Sequence, residues 1–505
     1  MPDILECLAQ LSNDEVPTPP KLANAMLDLL PAEVWGRHDY RWCDPCSKSG
    51  VFLREIVKRL LFEGLVDWEP DFEKRREHIF RNMVFGSGIT EMTGIISRRT
   101  LYYSRHAASE YSVVRMASDD GNLPFVRAEH EFKKGRCTIC GAPEDLERGP
   151  DRENYAYAFI HGAYPTEEMR EMKFDVIVGN PPYQLGASGG AAPGSFAMPV
   201  YQRFVEQAIE MDPRFIAMIT PSRWFAGGRG LDDYRARMLG DSRIRELVDF
   251  PDCNDCFPGA DISGGVSYFL WDREHDGECR ITTKLHGKEL DEPEVRALDE
   301  HDTFVRYNTG ADIVRKVWAE GARQDALSEK VSPIQPFSIR THFKGAESPD
   351  ELKDPVALRG RSGITYVERS EIPRNHEWID QWKVLLGRAF GDRGGFPYKI
   401  TSDPIVLGPG TACTETYLVI NRFATEQEAR RFAAYLATRF VRFLISLRKY
   451  TQDIYNERFA FVPDLPMDRD WTDADLYDRY GLTSDEVAFI EFQVKEMSVP
   501  EPVEA

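Results

Sequence analysis

Short apolar runs alternate with amphipathic helical segments through the first half of the chain, and this alternation constrains the fold more than any other feature. One run ends at Phe85, another covers Phe174 to Val178, and VFLREIVKRLL carries a helical apolar stripe that begins at Val51. Further apolar runs are YSVVRM, FIAMITP, IRELVDF and GGVSYFLW. Strands that are apolar on both faces and alternate with helices are typical of a mostly parallel sheet covered on both sides. The pattern predicts an α/β fold with a doubly wound sheet, in which GGVSYFLW is a closing edge strand.

The alternation is interrupted once and then lost. From Phe125 to Lys173 the chain is rich in charges and glycines, which predicts an insertion of about residues 126–173 between sheet elements. After about Asp272, short β-like runs, prolines and one helical segment, EQEARRFAAYLATRFVRFLISLRKY, predict a second domain of mixed α+β class. We expect three parts, which are the sheet domain over 1–275, the second domain over 276–462 and a helical tail over 463–505.

The composition is that of a globular protein with a core of its own. The 505 residues are 42% hydrophobic, and no apolar run approaches the length of a membrane span. The 9 cysteines, an odd number, and the lack of a charged-then-apolar leader predict a reduced, cytoplasmic protein that does not bind membranes. The net charge of -20 argues only weakly against nucleic acid as a partner, because a binding groove needs no more than a local basic face.

The most specific motif is FDVIVGNPPYQ, in which an apolar strand runs directly into Asn180, Pro181, Pro182 and Tyr183. The prolines end the strand, so the Pro181 carbonyl has no ladder partner and can accept a hydrogen bond from a ligand. The Asn180 side chain adds a second carbonyl acceptor, and Tyr183 adds a flat ring on which a planar base can stack. Two acceptors and a ring predict a site that holds an exocyclic amine. The alternative is a proline-kinked strand end with a packed tyrosine.

Asn-Pro-Pro-Tyr after such a strand resembles the catalytic motif of amino-methyltransferases that use S-adenosylmethionine, in particular the N6-adenine DNA methyltransferases of bacterial restriction-modification systems. The resemblance extends through the first half of the chain, where ITPSRWF and GGVSYFLW are similar to the later strand motifs. It implies a Rossmann-like methyltransferase sheet over 1–275 and a target-recognition domain after it. It also implies S-adenosylmethionine as cofactor and double-stranded DNA as partner, in the motif order of the γ class.

Two further motifs resemble the cofactor site of that family. DEVPTPPKLANAMLDLL is similar to the N-terminal motif whose Thr-Pro pair closes over the cofactor. DPCSKSG resembles the loop written D-P-x-x-G-x-G, with Lys48 in place of the first glycine. On its residues alone, this loop before a helix suits a nucleoside-containing ligand, and an ordinary tight turn is the alternative.

The rest of the implied cofactor site lies after the second and third strands. Gly88 stands where an acid that binds the ribose is expected, and Glu91 is the nearest acid. In SDDGNLPF, either Asp120 or Asn122 matches the residue that contacts the adenine of the cofactor. The cofactor-binding residues implied by the resemblance are Thr18, Pro19, Asp44, Pro45, Ser49, Gly50, Glu91, Asp120 and Asn122.

The predicted reaction is direct transfer of a methyl group to the amine of a flipped-out adenine. Asn180 and the Pro181 carbonyl hold both amine hydrogens, and Tyr183 stacks on the base. The segment LGASGGAAPGS, Leu185 to Ser195, is small enough to close over the base or to be a plain surface linker. Nothing of nuclease size precedes Thr18, so we expect any restriction nuclease or helicase to be a separate partner chain.

Basic residues among glycines and aromatics predict DNA contacts in the second domain. In LRGRSGITY and GRAFGDRGGFPYK they are Arg359, Arg361, Arg388, Arg393 and Lys399. The helical segment ATRFVRFLISLRKY adds Arg439, Arg442, Arg448 and Lys449. For these four, a solvated helix face is the alternative to a DNA contact.

Cys137 and Cys140, in RCTICGA, have the spacing of zinc ligands, and His130 and His161 lie in the same insertion. A second Cys-x2-Cys pair is missing from the insertion, so a structural zinc site would use both histidines. Buried thiols or a simple turn are the alternatives.

Together these patterns predict a site-specific DNA adenine-N6 methyltransferase, the modification component of a restriction-modification or phage-defence system. Methylation of RNA or of a protein glutamine is an alternative, because Asn-Pro-Pro-Tyr serves those reactions as well. A catalytically idle DNA-binding subunit is another, since Lys48 and Gly88 depart from the cofactor motifs.

Overall fold

The structure is a computed structural model that describes residues 17–144, 157–162, 172–185, 198–227, 230–322, 325–391, 397–450 and 452–498. The chain separates into two compact units, Met1–Phe304 and Val305–Ala505. The division falls later than residue 275, where the sequence places it. The reason is that strands formed after residue 275 still extend the sheet of the first unit.

Strands and helices alternate through the first unit. Its strands are β1 (Trp42–Ser47), β2 (Val84–Gly88), β3 (Phe132–Lys133), β4 (Arg136–Cys137), β5 (Val176–Gly179), β6 (Gln184–Leu185), β7 (Met198–Pro199), β8 (Phe215–Pro221), β9 (Ile244–Phe250), β10 (Val266–Asp272), β11 (Cys279–Leu285), β12 (Lys288–Glu289) and β13 (Glu294–Arg296). Its α-helices are α1 (Pro20–Leu27), α2 (Val51–Arg59), α3 (Phe72–His78), α4 (Glu91–Tyr102), α5 (Tyr201–Glu210) and α6 (Asp232–Leu239).

Most of these strands form one large sheet. Within the described residues it has nine strands, in the order β12-β11-β9-β10-β8-β5-β1-β2 with β13 beside β11. Strands β2, β1, β5 and β8 are parallel, whereas β10 is antiparallel to both of its neighbours. From β1 the chain goes to β2 on one side and later to β5 on the other, so the strand order reverses there. The predicted α/β class is confirmed, and such a reversal is where open sheets bind ligands.

Two predictions about strands are wrong. GGVSYFLW contributes β10, which is not an edge strand but lies between β8 and β9 and pairs with both. YSVVRM forms no strand in the described structure, where residues 111–116 are turns and loop. The edge of β2 is instead covered by residues 122–124, because Gly86 and Gly88 donate backbone N–H groups to the carbonyls of Asn122 and Pro124.

Local sequence determines where the two helices beside the parallel strands begin. α2 follows Gly50, whose φ of 74° lies in the left-handed region that favours glycine. α4 follows Thr90, whose hydroxyl accepts from the N–H of Thr93 while the Thr93 hydroxyl accepts from the N–H of Thr90. The helix accordingly begins at Glu91.

The second unit combines small sheets with helices, as the mixed α+β prediction requires. Its strands are β14 (Pro355–Gly360), β15 (Gly363–Glu368), β16 (Trp382–Gly387), β17 (Ile405–Leu407), β18 (Thr411–Cys413) and β19 (Tyr417–Phe423), in sheets ordered β15-β14-β18 and β17-β16-β19. Its α-helices are α7 (Asn308–Val317), α8 (His376–Ile379), α9 (Glu426–Ala437), α10 (Arg439–Ser446), α11 (Asp473–Arg479) and α12 (Ser484–Gln493). The segment expected to be one helix is two, because Thr438 is extended and its hydroxyl caps α10.

The helices predicted in the C-terminal tail are part of the core of the second unit. Leu476 of α11 and Ile490 of α12 are fully buried in the same cluster as Phe440 and Leu444 of α10. The tail is therefore not a separate appendage, and its acidic end beyond residue 498 lies outside the described residues. None of the helices in the described ranges is long and apolar enough to cross a membrane.

Candidate active site

The Asn-Pro-Pro-Tyr motif lies at the carboxyl end of a buried central strand. β5 ends at Gly179, between β1 and β8, and Asn180 to Tyr183 follow at once. All four motif residues are buried. No hydrogen bond to the Pro181 carbonyl is formed within the described residues, which agrees with the strand ending before the prolines. The motif therefore lies where the strand order reverses, which is the expected ligand position for this kind of sheet.

Asn180 is held by a residue from the start of the described chain. Its side-chain amide nitrogen donates to the Thr18 hydroxyl at 3.1 Å, and both side chains are buried. Thr18 stands just before Pro19, the N-cap of α1. The structure thus brings the predicted Thr-Pro pair to the motif across 162 positions of sequence.

The carboxyl group of Asp44 lies beside the same strand end. A Cβ atom at Gly179 would lie 2.7 Å from Cys46 Sγ, 3.3 Å from Asp44 Oδ1 and 3.8 Å from Pro45 Cδ, so no side chain fits there without a shift. Asp44 Oδ1 accepts from the N–H of Cys46 at 3.2 Å. Burial raises the pKa of Asp44 to about 7, although hydrogen bonds from Cys46 and Ser47 work in the opposite direction. A buried carboxyl with a perturbed pKa, next to the Asn-Pro-Pro-Tyr motif, marks a candidate functional group.

The rest of the DPCSKSG loop is fastened to α4. The hydroxyl oxygens of Ser47 and Ser97 are 2.9 Å apart, and the Ser97 hydroxyl donates to the Lys48 carbonyl at 3.2 Å. A Cβ atom at Gly50 would lie 3.0 Å from Ser97 Cα, and Ser49 is buried. The loop therefore makes a tight turn into a helix N-terminus even with Lys48 in place of the expected glycine.

The three other predicted cofactor residues differ in their surroundings. Glu91 is exposed in the first turn of α4. Asp120 is half exposed, and its carboxylate pairs with Arg98 at 2.7 Å. The side-chain amide of Asn122 donates to three backbone carbonyls between residues 80 and 84 and so fastens the entry to β2. Of the two residues weighed for the adenine of the cofactor, Asn122 has its side-chain amide committed to backbone carbonyls, and Asp120 carries a carboxylate paired with Arg98.

Tyr183 is packed rather than open. Its side chain is 7% exposed, and its ring lies against Phe257 with centroids 6.5 Å apart in an edge-on arrangement. Burial raises the pKa of Tyr183, so the hydroxyl is neutral. Its backbone carbonyl accepts from the N–H of Val200 at 3.2 Å. Stacking of Tyr183 on a base stays a prediction.

Sequence reasoning missed the residues that support the motif from behind. Cys46 lies against Gly179, Ser97 holds the cofactor loop, and Arg98 holds Asp120. Gly179 carries the one readable signal, because a glycine that ends an apolar strand marks a close approach of another backbone or side chain. Ser97 and Arg98 are on α4, and nothing in their local sequence indicates what they contact.

Comparison with known proteins decides the family. A family model described as Eco57I restriction-modification methylase matches residues 82–257, a range that includes the Asn-Pro-Pro-Tyr motif. An uncharacterized adenine-specific methylase of Mycoplasma pneumoniae is 36% identical over 312 residues, which cover 57% of this chain and 74% of that protein. The chain belongs to the family of adenine-specific methylases. The resemblance drawn from Asn-Pro-Pro-Tyr is thereby confirmed.

Solved structures of restriction-modification proteins are also similar to this methylase. The methyltransferase subunit of a type I restriction-modification system from Streptococcus thermophilus is 14% identical, with a TM-score of 0.33, and the match covers 62% of this chain and 56% of that one. DrdV, from a DrdV-DNA complex, is 11% identical with a TM-score of 0.45, and that match covers 88% of this chain and 55% of the other. The chain spans little more than half the length of each.

Four residues of the predicted insertion come together in this methylase. His130, Cys137, Cys140 and His161 each offer one ligand atom, and these atoms lie within 4.8 Å of one another. Cys140 Sγ is 3.4 Å from His130 Nδ1. The sulfur of Cys137, at the end of the β3–β4 hairpin, accepts from the N–H of Ile139 at 3.4 Å. We call these four residues the metal-ligand cluster.

The local chemistry of the metal-ligand cluster suits an ion. Burial acts to raise the pKa of the Cys137 thiol, but hydrogen bonds from the backbone of Cys140 and Ile139 outweigh it and lower that pKa. Burial raises the pKa of Cys140 to about 12, so this thiol would release its proton only on binding a metal. Burial and the neighbouring His130 lower the pKa of His161 to about 4, which keeps the imidazole neutral. Both ring nitrogens of His161 are buried, and neither makes a well-formed hydrogen bond within the described residues.

The predicted DNA contacts of the second unit lie at strand ends and turns. Arg359 is on β14, and Arg361 is exposed in the turn between β14 and β15. Arg388 follows β16 directly, and Lys399 forms an ion pair within its own segment at 2.8 Å. Arg393 lies outside the described residues. No ligand tests these positions, so their role in DNA binding stays a prediction.

Two basic residues of the segment ATRFVRFLISLRKY, Arg442 on α10 and Arg448 just after it, are less accessible than a DNA contact or a solvated helix face requires. Arg442 is fully buried and donates to backbone carbonyls of residues 399, 437 and 438. Arg448 is 3% exposed and stacks on Phe461 at 4.8 Å. For these two arginines a DNA contact and a solvated helix face are both wrong, because their side chains complete the core of the second unit.

Proposed function

We propose that the chain is a γ-class DNA methyltransferase that transfers a methyl group from S-adenosylmethionine to N6 of a flipped-out adenine. The observation that carries this proposal is the contact of Asn180 with Thr18, beside Asp44, at the carboxyl ends of neighbouring parallel strands. Three motifs that are far apart in sequence meet at one place, and each has the chemistry that the reaction needs. Family membership supports the same conclusion.

The residues around the strand ends suit S-adenosylmethionine. The buried carboxyl of Asp44 suits an acceptor role, and the left-handed Gly50 opens α2 with free backbone N–H groups at its first turn. Asp120 offers a half-exposed carboxylate near the edge of β2. We propose that these residues, with Thr18 and Glu91, hold the cofactor, which supplies the electrophilic methyl group when bound.

Asn180 and Pro181 would orient the target amine. The amide nitrogen of Asn180 faces Thr18, so the amide oxygen lies on the other arm of the side chain. That oxygen and the Pro181 carbonyl accept the two hydrogens of the adenine amine and localise its lone pair for in-line attack. Positioning and fixed dipoles supply the acceleration, and no covalent intermediate is needed. The amine loses one proton after transfer, and the uncharged acceptors can pass it to water.

The target amine is inaccessible inside a duplex, so the base must leave the helix. The segment expected to close over it, Leu185 to Ser195, lies almost wholly outside the described residues. We propose that the second unit reads the sequence around the flipped base with Arg361 and its neighbours. We further propose that the protein acts in the cytoplasm, as the modification component of a restriction-modification or phage-defence system, with a nuclease or helicase subunit as a candidate partner.

The test is labelled-methyl transfer from S-adenosylmethionine to mixed-sequence duplex DNA, followed by mapping of the modified base. Asn180→Ala should retain cofactor binding by calorimetry and lose on the order of a hundredfold or more in rate, as expected for one preorganised hydrogen-bonding group. Asn82→Ala, at an exposed asparagine of the same unit, is the matched control and should match the parent.

Three outcomes separate the proposal from its rivals. N6-methyladenine at one recurring sequence supports it. Cofactor binding without transfer to DNA would favour RNA or a protein glutamine as substrate. A chain that binds DNA but no cofactor would be an idle subunit, and equal rates for Asn180→Ala and the parent would refute the assignment of the catalytic residue.

We also propose that the metal-ligand cluster binds Zn²⁺. Two sulfurs and two imidazole nitrogens are a zinc donor set, and a tetrahedral zinc with bonds of about 2.0–2.3 Å would bring these atoms to about 3.3–3.8 Å from one another. The Cys140 and His130 atoms already lie 3.4 Å apart. Metal analysis of the purified protein should find one zinc per chain, and Cys140→Ser should lower that number.

A further inference from the structure

Residues beside two of the four ligands contact the strand pair that follows the catalytic motif. Arg136, next to Cys137 on β4, donates to the sulfur of Met198 at 3.3 Å. A Cβ atom at Gly141, next to Cys140, would lie 3.7 Å from Met198 Cε. Met198 is on β7, which pairs with β6 immediately after the motif. Residues adjacent to the metal-ligand cluster therefore contact β7, in the strand pair that follows the Asn-Pro-Pro-Tyr motif.

A second route joins the cluster to the motif from another side. Tyr157 and Phe159, shortly before the ligand His161, pack on Phe204 of α5 with ring centroids 5.5 Å and 5.8 Å away. α5 begins directly after Val200, whose N–H donates to the carbonyl of the motif tyrosine. Both routes end on the three residues 198–200, which lead into α5.

The elements involved are too short to order themselves. β3 and β4 are two residues each and form a two-stranded sheet, to which the described residues add one bridge from Arg136 to Pro143, and β6 and β7 are equally short. An isolated two-stranded hairpin is marginal at best in water. One ion bound by four ligands from three parts of the insertion would supply the missing order, because metal binding to such a site is coupled to its folding.

We infer that the metal-ligand cluster positions residues 198–200, and with them the strand pair β6–β7 that directly follows Asn180 to Tyr183. Neither route from the cluster passes through the DPCSKSG loop, so loss of the ion should affect the handling of the target base and leave cofactor binding intact. The kinetic part of this inference rests on the proposed function, whereas the positioning itself rests on the contacts. Arg136 and Met198 are positioning residues, since neither touches the reacting atoms.

The positioning is tested by amide hydrogen exchange on the zinc-loaded full chain and on the same chain after chelation. Chelation should raise exchange at least tenfold at the amides of residues 198–204, which include the Val200 N–H bonded to the motif. Amides of β1 and β8 serve as internal references and should not change. Readdition of Zn²⁺ should restore the protection, and Co²⁺ should restore it with the visible absorption of a tetrahedral thiolate site.

Variants that leave all four ligands in place distinguish the positioning of residues 198–200 from a general loss of folding. Arg136→Ala and Met198→Ala should keep one zinc per chain and the cofactor affinity, yet increase exchange at 198–204. They should also lower kcat on the order of tenfold, because small displacements of a positioned reactant are costly. Lys133→Ala changes an exposed residue directly opposite Arg136 in the same hairpin and is the control that should leave all readouts unchanged.

The failures are distinguishable. A chain that binds zinc but shows the same exchange at 198–204 with and without it would overturn the inference, whatever its activity. Absence of zinc from both purified and zinc-treated protein would overturn it as well. If the parent transfers no methyl group to DNA but the exchange changes as expected, the positioning stands and the proposed function is what fails.

Discussion

Replacing Gly179 by alanine should damage the active site without touching a reacting group. The new Cβ would lie 2.7 Å from Cys46 Sγ and 3.3 Å from Asp44 Oδ1. Carbon atoms in good contact are about 3.5–4.0 Å apart, and sulfur needs no less, so the overlap with Cys46 approaches about 1 Å. Gly179 lies between β1 and β8 in the middle of the sheet, and the strain is relieved by turning the buried Cys46 side chain or by moving β1 or the residue that follows, Asn180.

The expected size of the effect follows from that overlap. Overpacking of a tight core costs about 1–3 kcal/mol, which lowers the unfolding temperature of a unit of this size by several degrees. A shift of the order of 1 Å at Asn180 should cost about a hundredfold in methyl transfer. Cys46→Ala removes the clashing sulfur, so the double variant should recover most of both losses. The remaining contact with Asp44, at 3.3 Å, is tight but tolerable.

The assay combines initial rates of labelled-methyl transfer with calorimetric unfolding for the two single variants, the double variant and the parent. Gly36→Ala is the control glycine, because a Cβ there would meet nothing closer than 4.0 Å. Gly179→Ala behaving like Gly36→Ala would refute the reasoning. So would a double variant no better than Gly179→Ala, because the clash with sulfur would then not be the cause.

Three further predictions concern Thr18, Asp44 and Arg361. Thr18→Val removes the hydroxyl that accepts from the buried Asn180 amide. Loss of that hydrogen bond should cost about 1–3 kcal/mol of free energy and slow methyl transfer roughly tenfold or more, whereas Thr18→Ser should keep near-parental rates. Burial raises the pKa of Asp44 from 3.8 to about 7 in the cofactor-free folded state. The protonated carboxyl therefore favours folding, fully so below about pH 4, and this contribution to the free energy of unfolding is lost as pH rises through about 7. The full loss is on the order of 4 kcal/mol. Calorimetry should therefore show Asp44→Asn more stabilised relative to the parent at about pH 8 than at about pH 5, and an equal difference at both would contradict the buried carboxyl. Arg361→Ala, at an exposed hairpin turn, should weaken DNA binding and reduce its salt dependence without changing the unfolding temperature. Arg442→Ala, at a buried arginine, should lower the unfolding temperature. A lower unfolding temperature for Arg361→Ala and weaker DNA binding alone for Arg442→Ala would argue against both assignments.

The errors of the sequence analysis have physical causes that particular elements illustrate. A strand that is apolar on both faces has the same sequence pattern whether it lies at the edge of a sheet or in its interior. The apolar run that forms β10 therefore does not indicate that a strand pairs with it on each side. The four basic residues of the segment ATRFVRFLISLRKY look solvated in sequence, but Arg442 donates to backbone carbonyls that compensate its burial. The boundary at residue 304 depends on β11 pairing with β9, which is a long-range event.

The sequence by itself determined what local chemistry dictates. Alternating apolar strands and helices indicate an α/β sheet, two prolines end β5 at a known residue, and the Thr90–Thr93 pair starts α4. Cys137 and Cys140 are close because a short turn joins them. Each of these follows from steric and hydrogen-bonding preferences of neighbouring residues, so the sequence is sufficient.

Only the tertiary structure decided which distant groups meet. The hydrogen bond of Thr18 to Asn180 spans 162 positions, and the contact of Gly179 with Cys46 depends on the register of β5 against β1. The arrival of His161 at the two cysteines depends on how the insertion packs against α5. Such contacts arise from the burial of whole faces and from sheet register, which belong to the folded chain as a whole. A glycine such as Gly179 at a strand end signals a close approach, but its local sequence does not say which residue approaches.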